Sequence, residues 1–236
     1  MNWDGAVNAH HVLGLIYRMG RQEWLTEDGW RGLREDGVTT VIDLRNAPER
    51  TRRPTDPTVD DAARAGIDVV HCPVEDQDVA EYMAPALAAG APYPNHPRYY
   101  PSNLRYFPDR LARVFSAIAA APGAVVLHCS AGRDRTGLVV TLLLLLAGRR
   151  DLVVPQYDAG ARGINDWHRI SPVRHPHERH LSGAELEEFL AGRLEALEEF
   201  ISCWPDAAAV AGLLLAHGVT EAELESVRAK LDARRH

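Results

Sequence analysis

An α/β fold is predicted, with a central, mostly parallel sheet flanked by helices and with extra helices at the C-terminus. Three features predict it. Short β-branched or apolar runs at 38–44, 68–74 and 124–128 are separated by stretches of helical spacing. A nearly all-round apolar helix at 136–147 belongs in the middle of a domain. After residue 181 only helical periodicity remains. The 236 residues suit a single domain able to bury a sizeable core, read as a core over about 11–150, an irregular stretch at 151–181 and a helical extension at 182–236.

The elements follow in order. Thr26 caps a short helix that Glu27 and Asp28 open and Gly37 ends. The run Val-Thr-Thr-Val-Ile within 38–44 reads as a strand, the Pro-bearing segment 46–57 as a loop, and 68–74 as a second buried strand. Residues 77–103 read as long and irregular, with Pro85, Pro92, Pro94, Pro97 and Pro101 set among tyrosines. Such a stretch is either functional or a stiff cover over apolar surface. From Ser102 the positions Leu104, Phe107, Leu111, Val114, Phe115 and Ile118 follow a helical period until Pro122 and Gly123 stop it. A short strand at 124–128 precedes the apolar helix. After the irregular 151–181, Ser182 with Glu185 and Thr220 with Glu223 read as capping boxes, and a helix over 206–217 lies between them.

A net charge of −7 implies no bulk attraction to nucleic acid or to an anionic membrane, so an anionic substrate must be met by a local basic site. The three cysteines, Cys72, Cys129 and Cys203, do not form a disulfide framework, and a reducing compartment is expected. Residues 1–20 lack the regions of a secretory leader. The longest apolar run, 138–147, falls short of the ~20 residues that span a bilayer. A cytoplasmic protein with no stable membrane insertion is expected.

The chemistry concentrates in Ala124-Val-Val-Leu-His-Cys-Ser-Ala-Gly-Arg-Asp-Arg-Thr-Gly137, a strand running through a loop into a helix. Backbone N–H groups from Ser130 to Arg135 can curl round one centre as an anion nest, and the helix N-terminus adds its positive end. A phosphate dianion fits there. Cys129 stands at the mouth, where the same dipoles and Arg135 favour its thiolate. Cys129 is then the nucleophile, forming a phosphocysteine. Arg135 offers a planar fork to two phosphate oxygens. Gly132 permits the tight turn beside Ser130 and Ala131, Thr136 can hydrogen-bond the sulfur and ease its departure, and His128 can hold the loop from behind.

The segment His128 to Gly137 resembles the His-Cys-x-x-Gly-x-x-Arg-(Ser/Thr) signature of the protein tyrosine phosphatase superfamily. Its Arg-Asp-Arg-Thr ending resembles, more narrowly, the atypical bacterial tyrosine and dual-specificity phosphatases similar to mycobacterial phosphatase B. Leu15-Ile-Tyr-Arg18, Leu25-Thr to Leu33, Val41-Ile-Asp-Leu-Arg-Asn-Ala-Pro-Glu49 and Gly218-Val-Thr-x-x-Glu-Leu are similar to segments of that group. Met19 stands where the group has serine. The resemblance implies a phosphomonoesterase, without metal or cofactor, that acts on phosphotyrosine. The alternatives are a phosphoinositide or inositol phosphate phosphatase, or a phosphate-binding pseudophosphatase.

The leaving group needs a proton, and aspartate is the usual source. Asp134 inside the loop is favoured by the resemblance; Asp76 and Asp78 follow the 68–74 strand, where dual-specificity relatives place a mobile acid. Arg133 is either a second recognition group, which would suit a phosphorylated lipid as well as a phosphorylated protein, or a solvated charge. Asp43 with Arg45, and Arg18 with Glu49, read as structural ion pairs, with bracing of the loop or contact with substrate as the alternative. His168, His175, His177 and His180 fit no compact metal-ligand spacing; with Arg162, Arg169, Arg174 and Arg179 they read as a basic lid or a solvated loop. Trp24, Trp30, Trp167 and Trp204 read as packing residues. Cys72 reads as core, with the option of trapping an oxidised Cys129.

Overall fold

The computed structural model describes residues 1–233; the last three residues of the expected C-terminal extension lie outside them. Five strands form one sheet in the order β1-β2-β5-β3-β4: β1 is His10–Leu13, β2 Ile16–Met19, β3 Val38–Asp43, β4 Asp68–His71 and β5 Ala124–His128. The four strands from β2 to β4 run parallel, and β1 pairs antiparallel with β2. The mostly parallel sheet is thus as expected. The β1–β2 hairpin was not expected, because its strands are only four residues long and meet across a Leu13-Gly14-Leu15 turn with no strong hairpin signal.

The helices are α1 (Glu27–Glu35), α2 (Asp61–Arg64), α3 (Ala80–Ala88), α4 (Tyr100–Tyr106), α5 (Pro108–Ala120), α6 (Asp134–Leu146), α7 (Val153–Ile170), α8 (Gly183–Ser202), α9 (Ala207–Ala216) and α10 (Glu221–Asp232). The central strand β5 shows why the sheet needs cover on both faces. Val125, Leu127 and the following Cys129 join the large core with α5, α6 and the C-terminal helices, while Ala124 and Val126 join Trp30, Leu33 and Val41 under α1. Helix α6 is buried from Thr136 through Leu146 and packs between the sheet, α7 and α9. Among the described residues, no single helix is long and apolar enough to cross a membrane.

Local chemistry sets most ends. Thr26 Oγ1 accepts the Gly29 N–H at 3.2 Å, and Gly37 follows α1 with φ +76°. Thr220 and Glu223 form the expected capping box. Ser182 does not. Its side chain caps nothing, so the box is only half formed: Glu185 reaches back to the Ser182 backbone and also meets Arg179 at 2.8 Å.

Three further expectations are corrected. The single helix from Ser102 is broken at Phe107, where Pro108 forces the preceding residue out of helical geometry (φ −133°), giving α4 and α5. Residues 77–103 are not wholly irregular: α3 forms with Pro85 within it. The largest miss is α7, an 18-residue helix inside the stretch read as irregular. Its Pro155 lies in the first turn, where an N–H has no helical partner to lose. Its Gly160 and Gly163 sit where a Cβ would come within 2.3 Å of the Arg18 guanidinium and of Asn8 Oδ1, respectively. Those glycines let two polar side chains of the hairpin region lie against the helix, and both side chains hold the Cys129 loop.

Candidate active site

Strand β5 ends at His128, and the Cys129–Arg133 loop leads directly into α6. The loop's carbonyl oxygens are tied outward one after another. His128 Nδ1 donates to Cys129 O at 3.1 Å, the Arg21 N–H to Ser130 O at 3.0 Å, Asn8 Nδ2 to Ala131 O at 2.8 Å, and Arg18 Nη2 to Gly132 O at 2.5 Å. With its carbonyls held back, the loop turns its N–H groups toward the cavity in front of Cys129, where α6 also presents its positive end. Gly132 has φ +70°, and a Cβ there would meet Met19 O at 2.3 Å, so only glycine fits the turn. Burial pushes His128 below the ordinary imidazole value despite Asp43 Oδ1 at 3.8 Å, so the ring is neutral near pH 7 and donates from Nδ1.

Cys129 is only 3% exposed and lies in the lining of a cavity of about 510 Å³. Arg135 lines the same cavity. Its fork donates to both oxygens of Glu49, and Glu75 Oε1 lies 3.5 Å from its Nη1. Burial works against the cationic form of Arg135, but Glu75 and Glu49 outweigh it and raise the guanidinium well above its usual value. Glu49 is itself fixed by the Asn46 N–H at 2.9 Å and the Ser130 hydroxyl at 3.1 Å. Burial alone would push its carboxyl up; Arg135 reverses this and holds it low. Glu75 accepts from the Tyr82 hydroxyl at 2.8 Å and from Gln77 Nε2 at 2.9 Å. Glu49 therefore pairs with Arg135, not with Arg18, whose guanidinium serves the carbonyls of Gly132 and Gln156.

The two candidate acids occupy different places. Asp134 lines the cavity; its Oδ1 meets the Tyr157 hydroxyl at 3.0 Å and Arg193 Nη1 at 3.2 Å, and its Oδ2 meets Arg133 Nε at 2.9 Å. Asp76 turns to Arg110 at 2.6 Å and to the Asp78 N–H, and its neighbours Glu75 and Gln77 face the cavity in its stead. Arg133 is not a solvated charge: it is 3% exposed, paired with Asp134 and with Glu178 at 2.8 Å, and stacked over Phe189 at 5.4 Å. Thr136 is fully buried, and its hydroxyl has no hydrogen-bond partner among the described residues.

Both segments that the sequence left open wall the cavity. Tyr93 and Asn95 come from one, and His168, Arg174, His175 and Glu178 from the other. Burial by itself would push the Glu178 carboxyl up, but Arg133 and His168 overcome it and hold it well below the usual range. Arg162 and Arg179, in contrast, are taken up by Glu187 and Glu185 at the surface. Trp24 and Trp167 are not core residues; they are half-buried, 5.3 Å apart between ring centres, and line the cavity. Cys72 is out of reach of Cys129. Its N–H bonds to Asp43 O, and Leu44 N–H bonds to His128 O, so β3 lies between the two cysteines. Two strand spacings, roughly 10 Å, exceed the ~7 Å limit for a disulfide.

Behind the loop, Asp43 and Arg45 form the expected ion pair within a longer buried chain. Arg45 Nη2 meets Asp43 Oδ2 and Glu23 Oε1, each at 2.7 Å, Arg21 meets Glu23 at 3.1 Å, and Arg21 also meets Asp56 at 2.8 Å. Burial would raise the Asp43 carboxyl; hydrogen bonds from Arg45, with His128 alongside, hold it far below the ordinary range. A folded-state value below the unfolded one stabilises the protein above about pH 4, and that contribution is lost as pH falls from there through the folded value. Asp43→Asn is expected to cost about 3 kcal/mol at pH 7, because it leaves the buried Arg45 with Glu23 as its one carboxylate partner among the described residues. Urea unfolding at pH 7 and pH 3 checks this; equal midpoints for parent and variant at pH 7 would contradict it.

A buried cysteine facing a phosphate-sized nest at a strand–helix junction, with a forked arginine beside it, defines a phosphomonoesterase. The chain belongs to the tyrosine phosphatase family, whose profile matches residues 7–233. Similar solved structures include a putative phosphatase from Shewanella putrefaciens (16% identity, 86% of this chain and 95% of the other, TM-score 0.44). Others are the core catalytic domain of the PP-IP phosphatase SIW14 from S. cerevisiae (15%, 83% and 91%, 0.40) and TpbA from P. aeruginosa (14%, 92% and 98%, 0.42). No curated protein matches the chain.

Proposed function

We propose that this protein hydrolyses phosphotyrosine through a phosphocysteine intermediate, and that it sits among the atypical bacterial phosphatases similar to mycobacterial phosphatase B. The carrying observation is the depth of the sulfur. Cys129 is nearly inaccessible at a cavity walled by Tyr93 and Trp167. An aryl ester has the length to bring its phosphate to that floor and a ring for those walls; a seryl ester lacks both.

The phosphate dianion docks with its oxygens toward the N–H groups of residues 130–135 and the α6 N-terminus. Glu49 holds the Arg135 fork aimed at it. The sulfur attacks phosphorus, the bond to the aryl oxygen breaks, and that oxygen takes a proton. Asp134 is the proton carrier we favour, since it lines the cavity while Asp76 is turned to Arg110. Water then attacks phosphorus and gives its proton to the Asp134 carboxylate left by the first step, the S–P bond breaks, and the Thr136 hydroxyl hydrogen-bonds the departing thiolate.

One observation favours the second reading, an inositol phosphate. Arg53 and Arg174 are exposed and line the cavity, and their guanidinium groups form no ion pair with a described carboxylate, so they could meet further phosphates. Turnover of a phosphotyrosine peptide and of a phosphoinositide headgroup, compared by phosphate release, decides between them. We expect kcat/KM at least about tenfold higher for the peptide; the reverse order sinks the reading. In the same assay, Asp134→Asn is expected to slow a phenyl ester about 10²-fold and an activated dinitrophenyl ester far less. Equal losses would remove Asp134 as the proton carrier.

A further inference from the structure

We propose that a second cavity beside the catalytic one is a subsite for an apolar side chain of the phosphopeptide, next to the phosphotyrosine; this rests on the phosphotyrosine reading. The cavity encloses about 430 Å³. Its walls include Trp24, Trp167, Ile170, Pro57 and Val173, over a floor of Val7 and Asn8.

Continuity ties it to the substrate. Trp24, Trp167, Ser171 and Val173 line both cavities, so the tilted tryptophan pair is a shared wall. The same two chain segments border both. Arg53 faces the catalytic cavity while Thr55 and Pro57, a few residues on, face the second one; His168 and Arg174 face the first, Ile170 and Pro172 the second. A peptide anchored by its phosphate at Cys129 and leaving between these segments passes over the second cavity. Ile170 fits this role. It is a large apolar residue, 67% exposed, that lines that cavity with Trp167 and Val173 and so offers apolar surface to a side chain entering there. Asp166 and Arg169 give the rim a polar edge, as in sites that take one apolar group from a solvated chain.

The test uses the full chain and a soluble, Ala-rich phosphotyrosine peptide, with Phe, Leu or Asp placed in turn at each of the three positions on either side. One position is expected at which Phe or Leu raises kcat/KM about tenfold over Asp, the scale of partial burial of such a side chain. Ile170→Asp and Thr55→Asp change exposed residues outside the catalytic cavity and are expected to reduce that ratio to below about twofold. Turnover of p-nitrophenyl phosphate, too short to reach the second cavity, is the reference for both variants. The subsite is refuted if no position prefers an apolar residue, or if the preference survives both substitutions. Turnover of inositol phosphates with none of any peptide overturns the substrate reading, and the subsite with it.

Discussion

Cys129→Ser is expected to lower turnover of aryl phosphates by at least about 10⁴-fold while leaving inorganic phosphate bound. The expectation follows from a division of labour in the site. Binding belongs to the backbone nest, whose carbonyls are held back by His128, Arg21, Asn8 and Arg18, none of which depends on the sulfur. In the proposed mechanism bond-making falls to the sulfur, and a serine hydroxyl would find no base in His128: its Nδ1 is committed to Cys129 O, and its Nε2 lies in a fully buried site behind the loop. Steady-state kinetics with equilibrium titration of inorganic phosphate separates the two. Loss of both together would mean that the variant lost the loop's shape.

Arg135→Lys is expected to be nearly as damaging, lowering kcat by about 10²- to 10³-fold with a smaller effect on KM. Glu49 grips both prongs of the guanidinium, and Asn46 and Ser130 in turn fix Glu49. A planar fork so held can match two oxygens as the phosphorus flattens. A lysine keeps the charge but offers one point donor and cannot satisfy the Glu49 carboxylate in the same way. A kcat within a fewfold of the parent would show that charge alone suffices and that the fork is irrelevant.

The Cys129 loop was legible in the sequence because its residues are contiguous: cysteine, glycine, arginine and threonine at fixed steps need no knowledge of the rest of the chain. Strands β3 to β5 were legible for the same local reason. What supports the loop was not. Asn8 and Arg18 come from a short hairpin with weak strand signals, and their partners are the carbonyls of Ala131 and Gly132, more than a hundred residues away. Helix α7 was hidden by Pro155, Gly160 and Gly163. These are breakers on local propensity, yet the two glycines make room for those same hairpin side chains. Glu75 and Glu178 carried no motif of their own, and Glu49, though inside a resembling segment, was matched with Arg18 rather than with Arg135. After β4, whether Glu75 or Asp76 faces the cavity depends on how the chain turns, and Arg110 on α5 settles it by drawing Asp76 away. The Leu-Ile-Tyr-Arg and Asp-Leu-Arg resemblances did mark Arg18, Asp43 and Arg45, without saying what each of them holds.

The most direct measurement is rapid acid quenching of the parent enzyme during turnover of p-nitrophenyl phosphate, followed by peptide mass spectrometry. One phosphoryl group on the peptide containing Cys129, forming with a burst of nitrophenolate equal to the enzyme concentration, is the predicted result. A burst with the phosphoryl group carried on any other residue would contradict the account.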